Sequence, residues 1–295
     1  MSERRPVETV DPEDAFAALA DDTRVDILRA LWSDEDQQAT FSELREAVGM
    51  ADSGQFNYHL DRLVGRFVHK TDDGYELTLA GMAVNGAIEA GAFTMDGRLD
   101  PVDLEEPCPV CGGERTFRYE DEEAVVSCAD CSFGLGASVP PGVFVDCDPG
   151  EAPAVASRYF QAIVRQVADG FCWHCEGPVT LSVRPLAATG DGDPPADVPD
   201  VPVAHFECER CGNVITSDLG SAFIDHPAVA GFYFDHDVDV FDHPFGTFDT
   251  LDPDRSEIRE RDPFRASVTF PADGEAVTLV VDGDGAVLAV ERSDR

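Results

Sequence analysis

The chain has nine cysteines, and eight of them fall into four Cys-x2-Cys pairs. Two thiolates at this spacing on a tight turn can bind one ion, and two such turns complete a tetrahedral site with no open coordination position. Gly112 and Gly212 directly follow the second cysteine of their pairs, where tolerance of positive φ lets the turn fold back. The pattern predicts structural zinc sites that hold about two zinc ions per chain. The predicted ligands are Cys108 and Cys111, Cys128 and Cys131, Cys172 and Cys175, and Cys208 and Cys211.

The spacing between the pairs indicates which of them share an ion. The first two pairs are separated by 16 residues, which is usual for a zinc site of this kind. The last two are separated by 32, but residues 186–200 are an insertion rich in Pro, Gly, Asp and Ala with no strand pattern. Without these 15 residues the separation is 17, so we expect a second ribbon that carries a disordered loop. Ligation by pairs from different halves is an alternative that the sequence leaves open.

Other uses of the cysteines are disfavoured. Disulfides are rare in a reducing cytoplasm. The segment FCWHC, residues 171–175, resembles a thiol-oxidoreductase motif, but that chemistry needs a helix beginning at the first cysteine, and Gly177-Pro178 followed by VTLSV indicates a turn into a strand. Cys147 has no partner and is expected to be a buried or idle thiol. Because the chain has no Ser/His/Asp set and no glycine-rich phosphate loop, we expect it not to be an enzyme.

Residues 53–67 carry a second set of side chains, whose types and spacing are typical of an amphipathic helix. Apolar residues recur at helical spacing and form a stripe for a core, namely Phe56, Leu60, Leu63, Val64 and Phe67. Polar residues recur on the other side, namely Gln55, Tyr58, His59 and Arg62. Gln and Arg can pair two hydrogen bonds with adenine and guanine edges, and Tyr and His can reach bases or phosphates. The pattern predicts a helix, N-capped by Ser53, that reads the major groove of DNA.

The flanking elements must position that helix. Thr40 is expected to cap a short helix that Gly49 ends, and a turn of a few residues then leads to Ser53. A helix, a short turn and a second helix form the helix-turn-helix unit, whose second helix enters the groove. Residues 67–70 and 75–79 flank Asp73-Gly74, which predicts a two-stranded wing.

Four runs of sequence carry a family resemblance, namely FAALADDTRVDILRAL (16–31), FSELREAVG (41–49), FNYHLDRL (56–63) and GYELTLAG (74–81). They resemble an ArsR-type winged helix-turn-helix transcription regulator, especially the form found in salt-loving archaea, over roughly residues 13–92. The resemblance places Ser53, Gln55, Tyr58, His59 and Arg62 on the DNA-reading helix, with Arg66, His69 and Lys70 as backbone contacts. Metal-sensing members usually carry a cysteine pair before the turn. Residues 22–48 contain none, so no such switch is expected.

The formal charge of −38 argues at first against nucleic-acid binding, because polyanions repel DNA. Residues 53–71, however, hold Arg62, Arg66 and Lys70 against Asp61 alone. With one lysine and 59 acidic residues, the composition indicates adaptation to a multimolar-salt cytoplasm. The screening length at about 1 M salt is roughly 3 Å, which largely erases long-range repulsion. Salt also removes the affinity that counterion release gives, so base contacts and shape must contribute more.

The rest of the chain suggests several segments. At 295 residues it is long enough for two domains, and 43% hydrophobic content argues against global disorder. We find no apolar N-terminal segment and no run of about 18 apolar residues, so we expect no signal peptide and no membrane span. The expected segments are a flexible tail 1–12, a winged helix-turn-helix domain 13–95, a linker 96–107, a tandem zinc-ribbon region 108–250 with a helix 152–169, a linker 251–263 and a three-strand β-meander 264–292.

Residues 223–248 collect aromatic and histidine side chains, including His226, His236 and His243. We interpret them as an aromatic core with capping and surface histidines; a small-molecule pocket, a further metal site or a catalytic histidine are the alternatives.

The fold class expected is α+β, with an N-terminal winged helix-turn-helix followed by a β-rich region. The function expected is a cytoplasmic DNA-binding transcription regulator, in which the zinc-ribbon region serves dimerisation, sensing or partner binding. The alternative is a general transcription or interaction module that binds polymerase or another protein. The expected partners are double-stranded DNA and a second copy of the chain in a homodimer, with the transcription machinery or a small-molecule effector as further candidates.

Overall fold

Helices and antiparallel sheets alternate along the chain, which therefore belongs to the α+β class. The structure is a computed structural model that describes residues 11–34, 37–189, 200–238 and 255–294. The chain divides into two units, Met1–Met95 and Asp96–Arg295. Within the described ranges, no helix combines the length and the apolar character needed to cross a membrane.

The first unit contains short helices around a three-stranded sheet. Its elements are α1 (Pro12–Leu19), α2 (Asp22–Ser33), β1 (Gln38–Ala39), α3 (Phe41–Ala47), α4 (Ser53–Leu63), β2 (Val68–Lys70), β3 (Tyr75–Leu77) and α5 (Leu79–Glu89). The strands pair antiparallel in the order β1-β3-β2. The apolar stripes of α2 and α4 meet in one core, which is formed mainly by Ile27, Leu28, Leu31, Phe56, Leu60 and Leu63.

Local side-chain chemistry fixes where the helices of this unit begin. Thr40 and Glu43 form a reciprocal capping box at the start of α3. The N-cap of α4 is Asp52 and not Ser53, because the Asp52 carboxylate accepts the N–H groups of Gly54 and Gln55 at 2.8 and 2.9 Å. Ser53 is the first helical residue. The predicted cap was therefore one residue too late.

In its described residues, the second unit contains three sheets and three α-helices. Its elements are β4 (Arg98–Leu104), β5 (Arg115–Glu120), β6 (Glu123–Cys128), β7 (Gly134–Ser138), α6 (Ala152–Ala168), β8 (Val179–Pro185), β9 (Pro202–Cys208), β10 (Val214–Asp218), α7 (Leu219–Phe223), α8 (Pro227–Asp235), β11 (Ser256–Arg261), β12 (Phe264–Ala272), β13 (Glu275–Asp282) and β14 (Val287–Asp294). The sheet orders are β4-β5-β6-β7, β10-β9-β8 and β11-β12-β13-β14, all antiparallel.

Two segments predicted to be linkers contain strands. Residues 96–107 include β4, which pairs with β5 through a register shift between Leu99 and Val102. Residues 251–263 include β11, which pairs with β12, so the predicted three-strand meander 264–292 is part of a four-stranded sheet. Both strands are rich in exposed charged residues, and composition alone made them resemble linkers. The predicted turn at Asp273-Gly274 is present, with φ of 49° and 85°.

One core joins the second and third sheets of this unit. Side chains from β8 and β9 pack with those from β12 and β13, together with α6, α7 and α8. From residues 223–248, Phe223, Phe232 and Tyr233 are buried in this core, whereas Phe234 is 81% exposed. Phe241, His243, Phe245 and Phe248 lie outside the described residues. The core explains how a small sheet that is marginal alone can be stable within this unit.

Candidate metal centres and the exposed face of helix α4

The first sheet of the second unit carries a cluster of four thiols. Cys108 and Cys111 lie on the turn before β5, and Cys128 and Cys131 lie at the end of β6 and on the turn that follows it. The Sγ atoms of Cys108 and Cys131 are 3.7 Å apart, and those of Cys111 and Cys128 are 3.5 Å apart. Cys108 is buried and Cys111 is exposed, so the cluster lies at the surface of its unit.

The second sheet carries a matching cluster. Its thiols come from Cys172 and Cys175 before β8, and from Cys208 and Cys211 at the β9–β10 turn. The distances are 3.7 Å between the Sγ atoms of Cys172 and Cys211, and 3.5 Å between those of Cys175 and Cys208. The cysteines therefore group as successive pairs within each sheet, and the alternative in which pairs from different halves share an ion is wrong.

The backbone around the thiols forms tight turns whose amides point at sulfur. Gly112 and Gly212 have φ of 75° and 72°, as predicted, and each donates its N–H to the carbonyl of the first cysteine of its pair. Glu176 takes the equivalent position after Cys175 with φ of 54°. Further N–H groups donate to the sulfurs at 3.4–3.5 Å, namely those of Gly113, Asp130, Phe133, His174 and Arg210.

These amides make the thiols unequal. The N–H of Asp130 is the main cause that lowers the pKa of the Cys128 thiol to about 7. The N–H of Cys211 does the same for Cys208, whose pKa falls to about 6. Burial instead raises the pKa of Cys175 to about 12. Each cluster therefore contains one thiol that gives up its proton more readily than an ordinary cysteine.

The geometry fits a four-coordinate metal ion. Tetrahedral ligation with metal–sulfur bonds of about 2.3 Å places sulfurs about 3.8 Å apart. The observed contacts of 3.5–3.7 Å are close to this value, and in each cluster all four Sγ atoms lie within 4.8 Å of one another. Each cluster can therefore hold one metal ion, which gives two per chain from the described residues.

Helix α4 presents a polar surface in the first unit. Ser53, Gln55, Tyr58 and Arg62 are exposed, and Tyr58 is 55% exposed despite its aromatic ring. The guanidinium of Arg62 lies 5.4 Å from the centre of the Tyr58 ring, and its Nη2 is 3.5 Å from the Tyr58 hydroxyl. Arg62 and Tyr58 therefore hold each other in place on the outer face of the helix.

His59 does not lie on that face. Its side chain is buried, with a relative exposure of 8%, and its Nδ1 is 3.3 Å from a carboxylate oxygen of Asp21. His59 follows Phe56 by three residues and precedes Leu60, so helical rotation brings it to the border of the apolar stripe. The prediction that His59 points outward together with Tyr58 and Arg62 is wrong.

The predicted backbone contacts lie after α4. His69 and Lys70 are exposed on β2, and the Lys70 Nζ lies 5.7 Å from the centre of the Tyr75 ring. Arg66 is half-buried, and its carbonyl oxygen accepts the hydroxyl of Thr78 at 2.6 Å. All three basic residues stand within or just before the β2–β3 hairpin.

Comparison with protein families assigns the larger part of the chain. A family model described as a domain of unknown function (DUF7351) matches residues 105–287, which is more than half of the chain. The chain belongs to the DUF7351 family. A second model, also described as a domain of unknown function (DUF7347), matches residues 12–88. Searches of curated proteins and of solved structures found no match to this DUF7351 protein.

The DUF7351 region also contains histidines that were candidate ligands. The ring of His226 accepts the N–H of Ala228 at 3.2 Å and caps α8. His236 Nδ1 is 3.4 Å from the Asp273 carboxylate, and its Nε2 is 3.7 Å from that of Glu275. These acids contact different nitrogens of the ring and do not converge on one atom. His226 is therefore a helix cap, and His236 is a partner of surface carboxylates.

Arg115 lies beside the first thiol cluster and was not predicted from the sequence. It is 2% exposed, stands opposite Cys128 in the β5–β6 register, and donates from Nε to the carbonyl of Glu106 at 2.9 Å. Its Nη2 lies 3.6 Å from the Glu106 carboxylate. The alternation of Arg115 with the buried Phe117 and Tyr119 is the sequence signal that places it inward.

Proposed function

We propose that this DUF7351 protein is a DNA-binding transcription regulator whose first unit is a winged helix-turn-helix of the ArsR type. The order α3, short turn, α4 and β2–β3 hairpin matches that architecture, with α4 as the groove-reading helix. The single observation that carries the proposal is the exposed Gln55, Tyr58 and Arg62 on the side of α4 away from its buried stripe. These side-chain types read base edges in the major groove.

The Tyr58–Arg62 contact adds to that argument. A guanidinium held over a ring has fewer conformations to lose when it binds a guanine edge. The N–H groups of Gly54 and Gln55, which could otherwise contact a phosphate, are already satisfied by Asp52. Recognition by α4 therefore depends on side chains more than on the helix terminus.

Charge limits how the β2–β3 hairpin can contribute to DNA binding. His69 and Lys70 lie on β2, but Asp72 and Asp73 occupy the tip and would repel phosphates. We propose that the strands of the hairpin, with Lys70, contact the DNA backbone while the tip stays out of the minor groove. High salt screens the acidic tip and the net charge of the chain.

We further propose that both thiol clusters hold zinc and that the ions are structural. Four thiolates without an open position suit zinc, which prefers tetrahedral sulfur ligation and has no redox chemistry of its own. Bound ions of this kind contribute folding free energy. In this proposal each sheet of the second unit that carries a cluster is a zinc ribbon.

The test is selection of duplex DNA from a random-sequence pool by the full-length protein at multimolar potassium chloride, followed by fluorescence anisotropy with the recovered duplex. We expect Arg62→Ala to lose about 1–3 kcal/mol of binding free energy, the value of one bidentate base contact. This corresponds to roughly a 5- to 150-fold weaker Kd. Binding should also become less selective at one base position.

The control is Arg29→Ala, which removes an exposed arginine from α2 in the same unit. It should bind the recovered duplex as the wild type does. Recovery of no preferred sequence, or equal losses for Arg62→Ala and Arg29→Ala, would contradict the proposal.

A second candidate function is an interaction module that binds the transcription machinery. The acidic hairpin tip favours it, because the same Asp72 and Asp73 that repel DNA would attract a basic protein surface. Retrieval of RNA polymerase by the wild-type protein, lost on Asp72→Asn with Asp73→Asn and accompanied by no DNA selection, would favour this candidate.

A further inference from the structure

A cleft within the second unit lies between two strands that each form the edge of a sheet. It has a volume of about 220 Å³ and is lined by residues 136–138 of β7 and residues 213–216 at β10. β7 is the last strand of the order β4-β5-β6-β7, and β10 is the first of β10-β9-β8. In the part of the chain that the structure describes, neither outer edge pairs with another strand.

The hydrogen-bond pattern of β7 determines which of its backbone groups face outward. Val139 donates to the carbonyl of Glu122, and the carbonyl of Phe133 accepts from Cys128. In an antiparallel pair, hydrogen-bonded and non-hydrogen-bonded residues alternate along each strand. The odd-numbered residues between Phe133 and Val139 therefore bond to β6. The N–H and C=O groups of Gly136 and Ser138 therefore point away from β6.

The backbone groups of β10 alternate in the same way. The carbonyl of Asn213 accepts the N–H of Cys208, so Ile215 bonds to β9. The backbone groups of Val214 and Thr216 then point away from β9. Both strands that line the cleft thus offer donors and acceptors at every second residue.

The rest of the lining consists of three apolar side chains and His174. Phe160 and Ile163 come from α6, and Trp173 comes from the turn between Cys172 and Cys175. The lining residues on β7 and β10 include no charged side chain and no proline. Natural sheets usually place charge, proline or a covering segment at such edges to prevent pairing.

We propose that this cleft binds an extended peptide segment of a partner protein, which adds as a β-strand to β7 and β10. Only an extended backbone repeats donors and acceptors at the two-residue period that both edges offer. Its apolar side chains would pack on Phe160, Ile163 and Trp173. Residues 96–295 hold 13 basic and 40 acidic residues, so basic residues flanking the apolar stretch are favoured electrostatically.

The probe is a synthetic peptide of about six residues, a usual strand length, with lysine at both ends and alternating valine and threonine between. Binding to the full-length protein is followed by Trp173 emission in a Trp32→Phe background, because the chain has two tryptophans. We expect a saturable change in emission. Two control peptides carry N-methyl groups, one on the odd-numbered amides and the other on the even-numbered amides. Each should bind about tenfold more weakly, which is the effect of losing one or two hydrogen bonds.

Two substitutions on one strand make a matched pair. Gly136→Lys places a long charged side chain at the cleft, and its Cβ would meet Val125 Cγ2 at an ordinary 3.6 Å. Gly134→Lys puts the same residue on the same strand outside the cleft lining, where the nearest atom is the Val126 carbonyl oxygen at 3.8 Å. We expect about tenfold weaker binding for Gly136→Lys, because like charges repel the lysines of the probe, and an unchanged Kd for Gly134→Lys.

Amide hydrogen exchange gives a readout that does not depend on the variants. The probe should slow exchange at Gly136, Ser138, Val214 and Thr216, while Leu135 is already bonded and should not change. Equal binding of the N-methylated peptides, equal effects of the two lysine variants, or no saturable change up to millimolar probe would overturn the proposal. None of these outcomes bears on DNA binding by α4.

Discussion

The hydroxyl of Tyr119 lies in the core beneath the first thiol cluster, where its side chain is 1% exposed. It donates to the carbonyl of Val139 at 2.8 Å. Burial, and then the carboxylate of Glu122, raise its pKa to about 12. The folded chain therefore keeps this phenol neutral at pH values where an unfolded chain releases the proton.

This gives a prediction for stability at alkaline pH. The unfolded pKa is about 10, so unfolding releases a proton between about pH 10 and 12, and stability falls as pH rises through this window. Tyr119→Phe should cost about 0.5–1.5 kcal/mol at neutral pH through the lost hydrogen bond. The loss of stability at about pH 11 should also be smaller for Tyr119→Phe than for the wild type. Urea denaturation followed by Trp173 emission in a Trp32→Phe background measures both quantities.

The control for this experiment is Tyr58→Phe, which changes an exposed tyrosine of the other unit. The alkaline decline should stay as large as in the wild type. A decline that Tyr119→Phe leaves unchanged would mean that another group, such as Tyr233 with its raised pKa, accounts for it.

The two thiol clusters predict how much metal the cysteine variants retain. Cys208→Ser should leave about one zinc ion per chain, because a closed site loses one of four ligands while the first cluster stays complete. Cys147→Ser should retain about two, since Cys147 belongs to neither cluster. Mass spectrometry of the metal content after dialysis measures this. Two retained ions in Cys208→Ser, or one lost in Cys147→Ser, would contradict the assignment.

The thiol clusters could be predicted from sequence because their chemistry is local. A Cys-x2-Cys turn fixes two ligands without knowledge of the rest of the fold. The burial of His59 could not be predicted in this way, because it depends on a contact with Asp21 at the start of another helix. Arg115 was missed because charged residues are rarely buried, although its strand alternation was readable.

Helix α5 contains two glycines with opposite surroundings. A Cβ on Gly81 would overlap the carbonyl oxygen of Phe67 and would lie 3.0 Å from a methyl carbon of Leu77. A Cβ on Gly86 would meet nothing within 4 Å. Gly81 therefore allows α5 to lie close to the chain between α4 and β2, whereas Gly86 has no packing role.

Alanine at each position tests this difference. Gly81→Ala should lower the free energy of unfolding by about 1–3 kcal/mol, because the backbone must shift. Gly86→Ala should raise it by up to about 1 kcal/mol, because alanine is the better helix former. Denaturant midpoints of the two variants give the comparison. Equal effects would show that the close approach at Gly81 relaxes without cost.

Most elements could be predicted from periodicity, and the exceptions share a physical cause. The predicted helix 152–169 is α6 because its apolar side chains repeat at helical spacing over four turns and Gly170 ends it with φ of 89°. The strands β4 and β11 carry charged residues on their exposed faces and irregular registers. Their identity comes from pairing with β5 and β12, which a local pattern does not contain.

We propose that the protein acts as a homodimer. Two reading helices about one DNA turn apart are the usual arrangement for near-palindromic sites. Ala80 and Ala83 of α5 are small and exposed, on a different side from the buried Gly81 and Asn85. Such a surface permits close packing of α5 against its copy.

Sedimentation velocity at micromolar concentration in high salt should show a dimer for the wild type and a monomer for Ala83→Arg, since a long charged side chain cannot fit between closely packed helices. The matched control is Glu89→Arg on the same helix, which should remain a dimer. A monomeric wild type would contradict the proposal.

The two ends of the insertion before β9 are tied together. Leu186 donates to the carbonyl of Val201 at 2.8 Å, and Pro185 stands opposite Pro202 where β8 meets β9. Loop closure costs only about 0.6 kcal/mol more for each doubling of loop length. The number of residues between Leu186 and Val201 can therefore change during evolution without changing the distances between the thiols of the second cluster. The same junction is a natural place to graft a fluorescent reporter.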